Sequence, residues 1–170
     1  MRRVLVIGCG GAGKSTLAVE LGRLLDLPVI HLDRHFWRPG WVSVPTEEWE
    51  EIVRDLVAGE RWVMDGNYGA TLDMRLAAAD TVIFMDFPTR LCLWRVLARW
   101  VRHRGRTRPD MGPECPETVD LEFLRWIVSF RRKSRPKILS AVQEHGEGVQ
   151  VVVLRNPREV RAFLASVEVV

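Results

Sequence analysis

The chain has 170 residues, 47% of them hydrophobic and 28% charged, with a net charge of +3 at pH 7. That length and balance suit a single soluble domain, 1–170, and argue against a collagen-like or disordered chain. No apolar run approaches the roughly 20 residues of a membrane helix, and Cys9, Cys92 and Cys115 lie far apart without a C-x-x-C pair, which argues for reduced thiols and against a zinc site or disulfide framework.

The first predicted strand, about 3–7, carries the apolar run Val4-Leu5-Val6-Ile7. Directly after it, residues 8–15 read Gly-Cys-Gly-Gly-Ala-Gly-Lys-Ser and fit G-x-x-x-x-G-K-[ST], the loop that binds nucleoside triphosphates. Glycines let the backbone curl so that successive N–H groups face phosphate oxygens. Leu17, Leu21, Leu24 and Leu25 then recur at helical spacing to about Asp26. The N-terminus of that helix adds unpaired N–H groups and a positive dipole end. Gly8, Gly10, Gly11, Ala12, Gly13, Lys14, Ser15 and Thr16 are therefore candidate nucleotide-binding residues. Lys14 would reach the β- and γ-phosphates of ATP or GTP, and the Ser15 hydroxyl would reach Mg²⁺. Cys9 need only be small here and is assigned no catalytic role. Because Met1-Arg2-Arg3 leads straight into the strand, no signal peptide is expected and a cytoplasmic location is.

Residues 28–32 read as a second strand ending at Asp33, and 35–44, with Trp37, Pro39, Gly40 and Trp41, as a structured loop. Pro45-Thr46-Glu47-Glu48 opens a helix with Thr46 as N-cap, and Trp49, Ile52, Val53, Leu56 and Val57 form its apolar face. A third strand, Trp62-Val63-Met64, closes on Asp65-Gly66-Asn67. A short helix around 72–78 leads to a fourth strand, 81–85, ending at Asp86. Pro88 starts a helix that fades near Arg104. Residues 104–117, with Gly105, Pro109, Gly112, Pro113 and Pro116, break regular structure. A helix follows from about Thr118 through Phe130, Pro136 restarts another, and 150–154 is a fifth strand. Asn156-Pro157 caps a last helix ending near Ser166.

This alternation predicts an α/β fold with a parallel sheet and helices on both faces. Ligands in such sheets bind beyond the carboxyl ends of the strands. That rule singles out the glycine loop, Asp33, Asp65 and Asp86. Between Arg90 and Lys137, eleven Arg and two Lys oppose five acidic residues, so positive charge is concentrated in one anion-attracting region.

The glycine loop, the Asp65-Gly66 turn and the pair Arg95-x-x-x-Arg99 together resemble the adenylate-kinase-like family of small P-loop kinases. More closely, His31-Leu32-Asp33, Phe36-Trp37, Gly40-Trp41, the run Trp62 to Tyr68 and Arg108-Pro109-Asp110-Met111 look like bacterial "DNA topology modulation" (FlaR-like) proteins. The resemblance implies a P-loop NTPase three-layer sandwich with a five-stranded parallel sheet in order 2-3-1-4-5. It implies an acceptor-binding region at 34–60 and a mobile lid with flanking arginine helices at about 100–135. It also implies ATP and Mg²⁺, with phosphoryl transfer to a small-molecule acceptor.

Asp65 matches the aspartate that holds Mg²⁺-bound water, a role suited to a carboxylate at a strand end beside a phosphate loop. Capping its own Asp-Gly turn is the alternative. Asp86 is the rival metal candidate, although Pro88 suggests a plain helix start. Arg95 and Arg99 match two arginines of the helix before the lid, one stacking on adenine and one contacting phosphate. Their spacing of four places them on one helix face, where a solvated basic face is the alternative. Arg131, Arg132 and Arg135 fall where the family brings arginines onto the transferring phosphoryl group, a task suited to a permanently charged guanidinium.

Two departures bear on the acceptor. Asn67-Tyr68-Gly69 stands where adenylate kinases have Phe-Pro-Arg, whose arginine holds the acceptor's phosphate, so a nucleoside monophosphate acceptor is expected only if Arg75 substitutes for that contact. Asp33 is placed to take a hydroxyl proton, with a loop cap or an ion pair to Arg34 or Arg38 as the alternative. His31 and His35 flank it as structural residues. Trp37, Trp41 and Trp62 gather at the acceptor region, either to stack on a ring or to form a small core, whereas Trp94, Trp100 and Trp126 read as packing residues. Lys14, Asp33, Arg99, Arg131 and Arg135 are thus the catalytic candidates, and Ser15 and Asp65 the metal candidates. Base choice is expected from backbone groups near 155–157. The competing reading is a nucleic-acid-associated ATPase in which Arg99, Arg102, Arg104, Arg106 and Arg108 track a phosphate backbone, although no nucleic-acid-binding motif accompanies them. A nucleotide sensor with little catalysis is the third.

Overall fold

In the computed structural model, which describes residues 1–118, 120–145 and 148–167, every predicted strand forms. In chain order the first elements are β1 (Arg3–Gly8), α1 (Lys14–Leu25), β2 (Val29–His31), α2 (Leu32–Phe36), β3 (Trp37–Arg38), β4 (Val42–Ser43) and α3 (Thr46–Val57). They continue through β5 (Trp62–Asp65), a 3-10 turn (Gly69–Thr71), α4 (Leu72–Ala78), β6 (Thr81–Met85), α5 (Thr89–His103), α6 (Leu121–His145), β7 (Gln150–Leu154) and α7 (Pro157–Ser166).

The main sheet has the order β2-β5-β1-β6-β7, all parallel, which is the 2-3-1-4-5 arrangement of its five strands. Its centre is β1, where Val4 to Ile7 are fully buried because helices cover both faces. On one face α1 packs against β1 and touches α7. On the other α4 packs against β1 and α6, with α3 against α4 and α5 against α6. Each fully buried Val, Leu or Ile contributes about 1.5–3 kcal/mol, so this centre holds the rim from which the phosphate loop springs. The edges matter as much: β2 lies at one and β7 at the other, with the glycine loop after β1 between them. No helix among the described residues is long and apolar enough to cross a membrane.

Three local expectations are corrected. The second strand stops at His31, and Asp33 lies in the first turn of α2. Leu32 and Phe36, one helical turn apart on α2, both turn into the core, and the Trp37 N–H closes that turn on the Asp33 carbonyl. Thr46 is the first helical residue and makes no side-chain cap; extended Pro45 holds the N-cap position, and its carbonyl accepts from Trp49 N at 2.8 Å. The helices expected on either side of Pro136 are one helix, α6, with Pro136 inside it. Proline cannot donate to the Arg132 carbonyl, at a cost of about 3 kcal/mol. Burial of Ile127 and Phe130 before it, and of Ile138 and Val142 after it, offsets that cost. Residue 119, within the predicted start of this helix, lies outside the described residues. The bounds of α4, β6 and β7 agree with expectation, and Asn156 Oδ1 caps α7 by accepting from Arg158 N and Glu159 N, both at 3.0 Å.

Candidate active site

The carboxyl ends of the strands open into a cleft of 1390 Å³. Its middle is the glycine loop. Gly11 has φ +80°, and a Cβ there would lie 2.4 Å from the Cys92 carbonyl oxygen, so only glycine fits against α5. Asn67, just past β5, clamps the start of the loop from both sides: its amide donates to Gly8 O at 2.6 Å and its oxygen accepts from Gly8 N at 3.0 Å. Lys14 Nζ donates to Cys9 O at 3.2 Å, and Arg95 donates to Ala12 O at 2.9 Å while its guanidinium lies 5.3 Å from the Phe87 ring centre. The Cys9 thiol is pushed up by a hydrogen bond with Cys92 and by burial, so it stays protonated and inert.

Beside the loop, Ser15 Oγ donates to Asp65 Oδ2 at 2.7 Å, and His31 Nδ1 lies 2.6 Å from Asp65 Oδ1. Burial lowers the His31 pKa, but the hydrogen bond and charge of Asp65 outweigh it and leave a net rise. A hydroxyl and a carboxylate meeting at the mouth of a phosphate loop make an oxygen-only pair. That donor set fits Mg²⁺, which takes one or two protein oxygens and fills its remaining positions with phosphate and water. No cluster of three or more His, Cys, Asp or Glu able to hold a metal occurs among the described residues.

Toward the β2 edge, Asp33 Oδ1 accepts from Tyr68 OH at 2.5 Å. Loss of water raises the Asp33 pKa against the lowering effects of Tyr68 and Lys14. Tyr68 itself is pushed far up by burial and by the Asp33 charge, so it remains a proton donor to the carboxylate. Its backbone is unusual, with φ +26°, a value an L-residue holds only when its surroundings require it. Arg75, fully buried, supplies the requirement. It donates to the carbonyls of Gly66 at 2.9 Å, Asn67 at 2.5 Å, Tyr68 at 2.7 Å and Thr71 at 3.2 Å. The expectation that Arg75 could hold an acceptor phosphate is corrected, since its donors are spent on backbone carbonyls and burial lowers its pKa.

The segment after α5 folds over this end. Arg99 Nε donates to Glu117 Oε1 at 2.8 Å, Arg108 Nε donates to Glu117 Oε2 at 2.6 Å, and Arg108 also donates to Asp110 Oδ2 at 2.6 Å. Burial, then the neighbouring Arg108 charge, lower the Arg99 pKa, and Glu117 opposes both. Burial works to raise the Asp110 pKa, but Arg108 and Ser15 hold it below the usual carboxylate value. The same segment is latched to the β3–β4 hairpin: Gly40 N donates to Glu114 O at 3.1 Å, Trp41 Nε1 to Pro116 O at 3.1 Å, and Cys115 Sγ to Arg38 O at 3.3 Å. A Cβ on Gly112 would lie 2.1 Å from Trp37 O, which shows how close the two backbones run.

No family model and no curated protein matches the chain. Among solved structures, it is similar to the shikimate kinase from Acinetobacter baumannii in complex with shikimate, with TM-score 0.60 and 18% identity over 97% of this chain and 89% of that one. It is also similar to the shikimate kinase from Bacteroides thetaiotaomicron, with TM-score 0.57 and 16% identity over 96% of this chain and 94% of that one. This likeness establishes the fold.

The remaining sequence-singled residues are sorted by position. Gly10 to Thr16, Asp33, Asp65, Arg95, Arg99, Trp37 and Trp41 all line the cleft. Arg131 and Arg135 do not: Arg135 grips both Asp86 oxygens at 2.8–3.0 Å, Arg131 approaches Asp86 at 4.0 Å, and Arg132 is exposed. Asp86 is thereby an ion-pair partner and not a metal ligand in this structure. Arg38 pairs with Glu48 and not with Asp33. Trp62, fully buried, begins the strand that ends at the site, so it lies away from the acceptor region, and Trp49 packs there with Phe36 and Tyr68 instead. Trp94 is 66% exposed, so it is no packing residue. Trp126 lines the cleft beside Gly10, stacked on Phe123. Of the basic run 99–108, Arg99 and Arg108 point inward to Glu117. Asn67, Asp110 and Glu117 were not singled out as site residues, and Arg108 only as part of the basic run; the Asn67 and Arg108–Asp110 motifs carried no role for them, and nothing in the sequence pointed to Glu117.

Proposed function

We propose that the chain is a Mg²⁺-dependent phosphotransferase that moves the γ-phosphoryl group of ATP to a hydroxyl of a small molecule. The observation that carries this reading is the Asp33–Tyr68 pair, a carboxyl held for proton abstraction in the same cleft as the phosphate loop. Tyr68 uses one carboxyl oxygen and fixes the group, leaving Oδ2 for the acceptor. An acceptor oxygen attacks the γ-phosphorus, the bond to the β-phosphate bridging oxygen breaks, ADP leaves, and the hydroxyl proton passes to Asp33. Lys14 would leave the Cys9 carbonyl for the phosphate oxygens, where its charge favours the transition state. Ser15 and Asp65 would hold Mg²⁺, which when bound neutralises charge on the β- and γ-phosphates. Arg95, on α5, would contact the nucleotide, with Arg99 one turn on held by Glu117, and the backbone at 155–157 would contact its base. Asn67 keeps the loop in register, and the 104–118 segment acts as the lid that excludes water.

The test is ADP release with Mg-ATP alone, then with nucleosides, nucleoside monophosphates, ring alcohols and shikimate, the molecule in the first structural neighbour. Acceptor-dependent release supports the reading. Release that depends on DNA and on no small acceptor would replace it with the nucleic-acid ATPase.

A further inference from the structure

The cleft has two ends because β2 and β7 lie at opposite edges of the sheet. Pro157, Val160 and Arg161 of α7 line one, and Asp33, Trp37, Trp41, Tyr68 and Asp110 the other. A carboxylate or phosphate on the acceptor would need a guanidinium or ammonium free at the second end. Among the described residues no guanidinium lining that end is without a partner. Arg75 is committed to four backbone carbonyls, Arg108 to Glu117 and Asp110, Arg99 to Glu117, and His31 to Asp65. Arg38, on the hairpin, is committed to Glu48, and Arg34 is exposed on α2 and does not line the cleft. His103, the last residue of α5, also lines the cleft at the base of the lid.

The acids tell the same story from the other side. Asp110 is paired with Arg108, and both oxygens of Asp65 are engaged by Ser15 and His31, which leaves Asp33, with Oδ2 open, as the carboxylate at this end without a basic partner. If that oxygen receives a hydroxyl, no unpaired carboxylate remains at this end for an ammonium. The arginines at this end are paired with the lid segment already latched on the hairpin, so that pairing belongs to the covered site. What the wall does offer is flat apolar surface: Trp37 and Trp41 meet at 5.4 Å, 68° apart, and Trp41 adopts φ +64° to stand there.

We propose that the acceptor is an uncharged, ring-bearing polyol whose ring lies against the Trp37 and Trp41 indoles and whose reacting hydroxyl meets Asp33. This rests on the phosphotransferase reading and narrows it. An anionic analogue would bring an unpaired charge into a site without a free guanidinium, a large penalty, whereas aromatic contact with a neutral ring is favourable.

The experiment compares kcat/KM for ADP release across four probe sets: nucleosides and neutral cyclic polyols, carboxylated ring polyols, nucleoside monophosphates and amino alcohols. Neutral ring polyols are expected to exceed their ionised counterparts by about 100-fold or more, the discrimination expected of an unpaired charge. Trp41→Ala should raise KM for the neutral acceptor about 10-fold and leave KM for ATP unchanged, whereas Trp41→Phe, which keeps a ring and loses only the bond to Pro116, should stay near wild type. Turnover favouring a carboxylated, phosphorylated or amine acceptor overturns this inference and leaves the phosphotransferase reading standing. Acceptor-independent ADP release with all four sets overturns both.

Discussion

The two ends of the cleft are built from different materials. At the end proposed for the nucleotide the groups on offer are backbone N–H donors of a contiguous loop, and side chains such as Asn67 and Arg95 serve to hold that backbone in place. At the end proposed for the acceptor they are side chains from α2, the β3–β4 hairpin, the turn after β5 and the segment after α5, held by one another. Backbone sites tolerate a partner of fixed chemistry, a polyphosphate, with few residue choices. Side-chain sites can be re-cut for a new acceptor by changing a handful of residues, which is why one fold can serve many substrates.

Lys14→Ala should have the largest effect, cutting kcat by roughly three orders of magnitude or more, because it removes a charge aimed at the transferring group. Near-normal ADP release from this variant would break the description of the nucleotide end. Asp33→Asn is expected to lower kcat about 100-fold or more with nucleotide binding unchanged, the pattern of a lost base at the other end. The wild-type rate should also fall on acidification at a pH above the usual carboxylate range, since the Asp33 pKa is raised, and the asparagine variant should lack that limb. The sign for stability is opposite. A raised carboxyl pKa stabilises the fold below the ordinary value of about 3.9, and that contribution is lost as pH climbs through the raised value. Asp33→Asn should therefore not lower the Tm at neutral pH.

Glu117→Ala would leave Arg99 and Arg108 without their shared partner. A loss of about 2 kcal/mol is expected, less than the roughly 3–5 of a fully buried pair because the Arg99 side chain is 28% exposed. Faster amide exchange confined to 104–118 would sharpen the division between lid and core, and unchanged exchange there would break it. Asn156→Ala should cost the least, about 1 kcal/mol, by removing the cap of α7. Thermal unfolding reads it directly, and kcat for the acceptor should be untouched.

Legibility follows the same division. Gly8 to Ser15 could be read from sequence because one continuous segment carries the strand, the loop and the helix start. Asp65 was legible through its strand end. Arg135 was misplaced because its partner, Asp86, is 49 residues away and nothing local announces the pair. Asp33 was singled out for its carboxylate but set at a strand end, since the turn into α2 that buries Leu32 and Phe36 depends on the finished core. Arg75 looked available because a sequence does not show carbonyls converging on a guanidinium.

The amino-acid sequence by itself determined the alternating α/β pattern, the phosphate loop and the concentration of arginines, because each rests on contacts within a few residues or on composition. The tertiary structure decided which arginines face the cleft, which are neutralised and what the acceptor end presents. Those outcomes depend on charges brought within 3 Å by chain reversal, as when Glu117 meets Arg99 across 18 positions and Tyr68 meets Asp33 across 35. Electrostatic pairing at that range turns on angstroms in space, and sequence separation carries no measure of them.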